Sequence, residues 1–242
     1  MKCFLVYNFN TQKAKDYLDN ECKVIIYLRS INDIYKAMRN VIYDYLKRAY
    51  QTVSLGVENK NTYFAVDESL LRHKNGKQIW LLGAIDNITK VFRIEGTYTR
   101  DAVTLEKFIT LNIETGNNIV TDGWSGYAFL DAPDSNFRRF SHNHGGGDFG
   151  FGQESTSHIE SLWSQLKAKI KEIYHLIPTK NLMHFVKEAE YRIKIKNLSS
   201  ENKIDDFFKC YEYLYNVEDV EFFDNGFYSD KDEDSSDSDD SI

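Results

Sequence analysis

The sequence predicts an α/β fold, a mixed β-sheet flanked by helices, and three observations carry that expectation. Three apolar runs follow one another between Asn61 and Gly96 with links too short for a helical crossover, so they form a three-stranded antiparallel meander. Two further short strand-like runs lie beyond an intervening helical stretch. A strongly amphipathic segment beginning near His158 then closes the pattern.

Residues 1–55 read as a helical N-terminal segment. Ser30-Ile31-Asn32-Asp33 resembles a capping box with an acid three residues after the serine. Ile31, Ile34, Tyr35, Met38, Ile42, Tyr45 and Ala49 then recur at helical spacing, with Lys36, Arg39, Lys47 and Arg48 mostly off that stripe. Such a helix either packs on the main domain or is the remnant of a DNA-binding region.

The main domain spans residues 56–197. Strands are expected at 61–67, at 78–86 (ended by the turn pair Asp86-Asn87) and at 90–96. Val103, Leu105, Phe108, Ile109 and Leu111 suggest a helix over 101–113, and short strands follow at 118–121 and 137–141. A loop rich in Gly and His, with His142 and His144, leads into a helix at about 158–176. Ile159, Leu162, Trp163, Leu166, Ile170 and Ile173 form its apolar stripe and Pro178 its stop. Helices over 181–196 and 203–215 come next, the second within a C-terminal helical extension at 198–228. Residues 229–242 are a Ser/Asp-rich acidic tail with almost nothing to bury, expected to be disordered.

Composition narrows the function classes. No apolar stretch approaches the roughly 20 residues of a membrane span, and the apolar run between Met1 and Asn10 is too short for a signal peptide. Cys3, Cys22 and Cys210 are odd in number and scattered, which supports neither a zinc ribbon nor a disulfide framework and favours a reducing, intracellular setting. The net charge of −7 looks unsuited to DNA until it is divided. Residues 229–242 carry seven carboxylates against Lys231, a net −6, so the remaining chain is close to −1. Charge therefore neither forbids nor announces nucleic acid. The tail is solvated charge, or a regulatory segment whose serines precede acids and could be phosphorylated.

Three acids stand where a two-metal nuclease needs carboxylates. Asp67 ends the run Tyr63-Phe64-Ala65-Val66, Asp122 follows Asn118-Ile119-Val120-Thr121, and Glu160 opens the amphipathic helix. Two hard cations about 4 Å apart can clamp the attacking and leaving oxygens of an in-line phosphodiester displacement, and magnesium takes oxygen ligands. Each acid also has a plainer role. Asp67 could sit in a strand-end turn, Asp122-Gly123 is an ordinary turn pair, and Ser157-His158-Ile159-Glu160 spells a capping box. Alternation sends Glu68 to the opposite face from Asp67, solvated or paired. Lys167, two helical turns after Glu160, is placed to touch DNA phosphate or to be a solvated lysine. His142 and His144 are candidates for phosphate or metal contact, or polar loop residues.

Three strings carry a resemblance: Ala65-Val66-Asp67-Glu68-Ser69, the run from Ile119 to Tyr127 (IVTDGWSGY), and the run from Ser157 to Lys167 (SHIESLWSQLK). In order, they resemble the ISXO-like insertion-sequence transposases and their eukaryotic Merlin relatives. Leu55-Gly56, Trp80, Arg100 and His144 fit as well. The resemblance implies an RNase H-like fold and a DDE active site of Asp67, Asp122 and Glu160 holding two Mg²⁺ or Mn²⁺ ions. It implies DNA contacts at Lys167 and His144, cutting of transposon ends with strand transfer into target DNA, a homo-oligomer, and a nuclear location in a eukaryotic host. Departures are the missing N-terminal zinc ribbon, the short basic segment at 72–77, and Ser157 where many relatives carry Asn. A catalytically decayed or domesticated copy acting as a binding or scaffold module is the alternative.

Overall fold

The computed structural model describes residues 1–58, 60–74, 77–142, 152–173 and 182–215. Helices α1 (Lys2–Leu5), α2 (Thr11–Asn20) and α3 (Leu28–Thr52) precede the sheet. The meander β1 (Tyr63–Lys74), β2 (Lys77–Asp86) and β3 (Phe92–Thr97) leads to α4 (Ala102–Asn112), β4 (Asn118–Asp122) and β5 (Arg138–His142). Helices α5 (Ser157–Ile173), α6 (Leu182–Lys194) and α7 (Ser200–Tyr215) follow. The five strands form one sheet in the order β3-β2-β1-β4-β5, antiparallel within the meander and parallel across β1-β4-β5. This is the mixed sheet with an antiparallel meander, flanked by helices, that the sequence predicted.

Strand alternation divides the sheet's residues between two cores. Phe64, Val66, Leu82, Ala84 and Ile119 pack on α4, through Leu105, Phe108 and Ile109. Ala65, Leu81, Ile85 and Ile94 pack on α5 and α6, through Ile159, Trp163, Leu166, Val186 and Ala189. A third cluster joins α1, α2 and α3 to Tyr191, Ile195, Phe207 and Cys210 of the C-terminal helices and the link between them. The N-terminal helices thus pack on α6 and α7, and α6 serves two cores at once.

Buried polar side chains fasten the elements. Arg93, 5% exposed, donates to the Tyr50 carbonyl (3.1 Å), the Val53 carbonyl and Asn112 Oδ1 (3.3 Å), tying β3 to the ends of α3 and α4. A cation at those helix ends meets the unpaired carbonyls. Asn117, fully buried, accepts the Thr62 N–H (3.0 Å) and donates to the Gly56 and Glu114 carbonyls. Gly56 has φ +80°, and a Cβ there would lie 2.5 Å from Asn117 Nδ2, so both the backbone and the space require glycine.

Two sequence expectations shift. Helix α3 starts at Leu28, with the Tyr27 carbonyl accepting the Ile31 N–H, so Ser30 lies inside the helix and caps nothing. Its buried stripe is Ile31, Tyr35, Met38, Ile42 and Leu46, while Ile34 is exposed. Strand β1 runs seven residues past the expected end at Asp67, because β2 pairs with it through Lys74. Pro178, His144 and the acidic tail lie outside the described residues.

Candidate active site

Asp67 and Asp122 come together through register. Parallel pairing sets Tyr63 opposite Asn118 and Ala65 opposite Val120. The same offset carried two residues further puts Asp67 beside Asp122, on strands about 4.8 Å apart and on one face of the sheet. Across the meander Asp67 pairs with Gly83, and on the far side Asp122 pairs with His142. The row Gly83, Asp67, Asp122, His142 crosses the sheet on the side covered by α5.

Helix α5 reaches this row through Trp163, whose indole Nε1 donates to Asp67 Oδ2 at 2.8 Å. A Cβ on Gly83 would lie 2.6 Å from Trp163 Cη2 and 3.1 Å from Ile159 Cδ1. The bare backbone of β2 is therefore the space in which the indole lies. Trp163 belongs to the apolar stripe by its spacing, and its second role as a donor to the carboxylate was not foreseen. A glycine inside a strand was the available signal, since it marks a close approach.

Asp122 is oriented by its own loop. Its Oδ1 accepts the Trp124 N–H at 3.0 Å, an Asx-type turn. Arg139 of β5 braces the same loop, donating to the carbonyls of Asp122 (3.0 Å) and Trp124 (3.2 Å) and to Asp131 Oδ2 (2.7 Å). So Asp122 both makes a turn and stands beside Asp67.

Glu68 points to the opposite face, as alternation requires, and is paired. Arg100 Nη1 donates to its Oε1 at 3.1 Å, and the buried Tyr127 hydroxyl to its Oε2 at 2.7 Å. The Arg100 guanidinium lies between the Trp80 ring (4.2 Å) and the Trp124 ring (4.6 Å), linking β2 to the loop after Asp122. Burial pushes Asp67 up to about 6; the Trp163 bond opposes that, and the Glu68 and Asp122 charges add to it. Burial raises Glu68 too, against its bond from Tyr127.

Glu160 is half-buried, one turn before Trp163 on α5. It does not close a capping box begun by Ser157. The Thr156 carbonyl accepts the N–H groups of Ile159 (3.1 Å) and Glu160 (3.3 Å), so the helix is entered from Thr156 rather than Ser157. Thr156 Oγ1 lies 3.5 Å from Glu160 Oε1. Among the described residues no three His, Cys, Asp or Glu side chains are grouped to hold a metal ion. The structure thus sets Asp67 against Asp122 and places Glu160 on the adjoining helix without joining it to them in such a group. Lys167 is exposed on the same helix.

The ISXO2-like transposase domain matches residues 54–194, more than half of the chain and all of the sheet. The chain belongs to the ISXO2-like transposase family. No curated protein sequence matches this transposase-family chain. Among solved structures it is similar to a simian T-cell lymphotropic virus intasome in complex with PP2A regulatory subunit B56 gamma. That match has 14% identity and a TM-score of 0.41, covering 58% of this chain and 50% of that one. The transposase-family chain therefore spans about half the length of that relative. It is also similar to the HTLV-2 integrase catalytic core domain in complex with magnesium, in a trimeric form. There the identity is 12% and the TM-score 0.33, over 69% of this chain and 90% of that one. The dimeric form of the same domain matches with 12% identity and a TM-score of 0.33, over 67% and 91%. Among the described residues no helix is long and apolar enough to cross a membrane.

Proposed function

We propose that this chain is a metal-dependent DDE transposase that cuts DNA at transposon ends and transfers the freed strand into target DNA. The observation that carries the proposal is the placement of Asp67 and Asp122 at matching positions on adjacent parallel strands, beneath the helix that bears Glu160. Their donor set suits Mg²⁺ or Mn²⁺. Carboxylate oxygens are hard ligands, and burial pushes Asp67 up to about 6, a strain that a cation would relieve.

Asp67, Asp122 and Glu160 would hold the two ions, which when bound supply the charge that stabilises the attacking and leaving oxygens. The chain's own part is positioning. Trp163 fixes one oxygen of Asp67, and the Trp124 N–H fixes one oxygen of Asp122. Lys167 and His144 would contact DNA phosphate. A homo-oligomer would hold two element ends together, and DNA as substrate implies the nucleus if the host is eukaryotic.

The test uses the purified full chain, Mg²⁺ or Mn²⁺, and labelled DNA carrying candidate terminal repeats. Nicked and joined products are expected, both lost in Asp67→Asn and in Asp122→Asn. Nicking undiminished in these variants overturns the site. A second reading, a decayed or domesticated copy serving as a binding or scaffold module, is favoured by the lack of a three-acid group among the described residues. Titration calorimetry with Mn²⁺ separates the two, since the decayed copy takes up no metal that depends on the three acids.

A further inference from the structure

We propose that the α5-facing side of β5, with Tyr63 of β1, is a lane for an unpaired DNA strand that ends at Asp122. The inference rests on the DNA-cutting function above and adds to it the route by which the strand arrives. Strand β5 is an edge of the described sheet. Its alternate residues Arg138, Phe140 and His142 stand opposite Asn118, Val120 and Asp122, so all three share the face of the candidate carboxylates. The Phe140 ring centroid lies 5.2 Å from that of Tyr63, and the Arg138 guanidinium 4.9 Å from the Phe140 ring. Arg138 is exposed and both rings are half-buried. Cation, ring and imidazole thus follow one another at intervals of about 6.6 Å toward Asp122.

The wall beside this lane is fixed. Asn87 donates its backbone N–H to the Tyr63 carbonyl (2.9 Å) and its side-chain amide to the carbonyls of Gln153 (2.6 Å) and Ser155 (2.8 Å). The approach to α5 is thereby held next to Tyr63.

The chemistry selects the occupant. Aromatic faces interleaved with a cation suit nucleic acid, the rings stacking on bases and the guanidinium meeting phosphate. A duplex keeps its base faces stacked on one another and offers the rings nothing, whereas a frayed strand presents them. An apolar protein partner would gain nothing from Arg138 beside the ring. The lane therefore takes single-stranded DNA.

The test is fluorescence anisotropy of a labelled 20-nucleotide strand with the full-length protein in Ca²⁺, across a salt series, with duplex DNA and an RNA strand of the same sequence as further arms. Phe140→Leu should weaken single-strand binding by about fivefold or more, and Phe140→Tyr should restore it. Arg138→Gln should lower the slope of log affinity against log salt by about 0.7. Phe140→Trp supplies an independent readout, because a stacked base should quench its emission beyond any quenching of the wild type. Single-strand affinity equal to wild type in a Phe140→Leu protein with unchanged circular dichroism overturns the lane. RNA bound more tightly than DNA also overturns it. If the wild type binds and nicks DNA while Phe140→Leu behaves like it, the lane alone falls. If the wild type binds no DNA at all, the DNA-cutting function falls first and the lane with it.

Discussion

Gly83→Ala tests the geometry of the candidate site without touching an acid. The added methyl would lie 2.6 and 2.7 Å from two carbons of the Trp163 indole and 3.1 Å from Ile159 Cδ1. Ordinary contact between carbons is about 3.5–4.0 Å, so the ring must withdraw by roughly 1 Å. The clash is with the Trp163 indole and the Ile159 side chain, both packed in the core between α5 and the sheet, and neither is a loose end. Overpacking of this kind costs about 1–3 kcal/mol. Withdrawal also lengthens the 2.8 Å bond from Trp163 to Asp67. A hydrogen bond to a charged group contributes about 1.5–3 kcal/mol, and the two effects overlap rather than add. Thermal unfolding should therefore fall by about 2–12 °C for a chain of this size. The double variant Gly83→Ala with Trp163→Leu should recover part of the packing loss. Urea and thermal melts followed by tryptophan emission measure both quantities. A Gly83→Ala protein that melts within 1 °C of wild type with unchanged emission would refute the close fit of α5 on β2.

Two further outcomes follow from the buried carboxylates. Asp67 has a folded value of about 6 against 3.8 for the free side chain, so the folded state holds its proton more tightly than the unfolded chain does. Stability from this group is full below about pH 4 and falls as pH rises to about 6, a loss of roughly 3 kcal/mol. Asp67→Asn should therefore melt higher than wild type at pH 8 and no higher at pH 3.5. Millimolar Mg²⁺ should raise the wild-type melting temperature at pH 8 but not that of the variant. A wild type that outlasts Asp67→Asn at pH 8 without metal contradicts the burial argument. Tyr127→Phe removes the donor that meets Glu68 Oε2 and leaves a buried oxygen unsatisfied. It should cost about 1–3 kcal/mol in urea unfolding, and a neutral result would mean that water replaces the hydroxyl.

The order of strands and helices was legible from the sequence because each element carries its own period. Short apolar runs with brief links made the meander, and the Ile159–Trp163–Leu166–Ile170 stripe made α5. Helix starts were less legible. Ser30 and Ser157 both match a capping signature, but packing begins α3 two residues before Ser30, and α5 is entered from Thr156. A local signature offers the hydrogen bond; the tertiary fit decides whether it is used.

What the sequence determined by itself was local: which segments are strands, which face of a helix is apolar, that Glu68 and Asp67 point to opposite sides, and which motif strings the chain carries. What only the tertiary structure decided was register and cross-element contact. The offset that aligns Ala65 with Val120 brings Asp67 to Asp122, and the pairing of β4 with β5 brings His142 to the same row. The open space over Gly83 lets Trp163 reach Asp67. A side chain's spacing along its own chain is fixed by backbone geometry. The partner it meets depends on how far one element slides against another, which is settled by packing among residues distant in sequence.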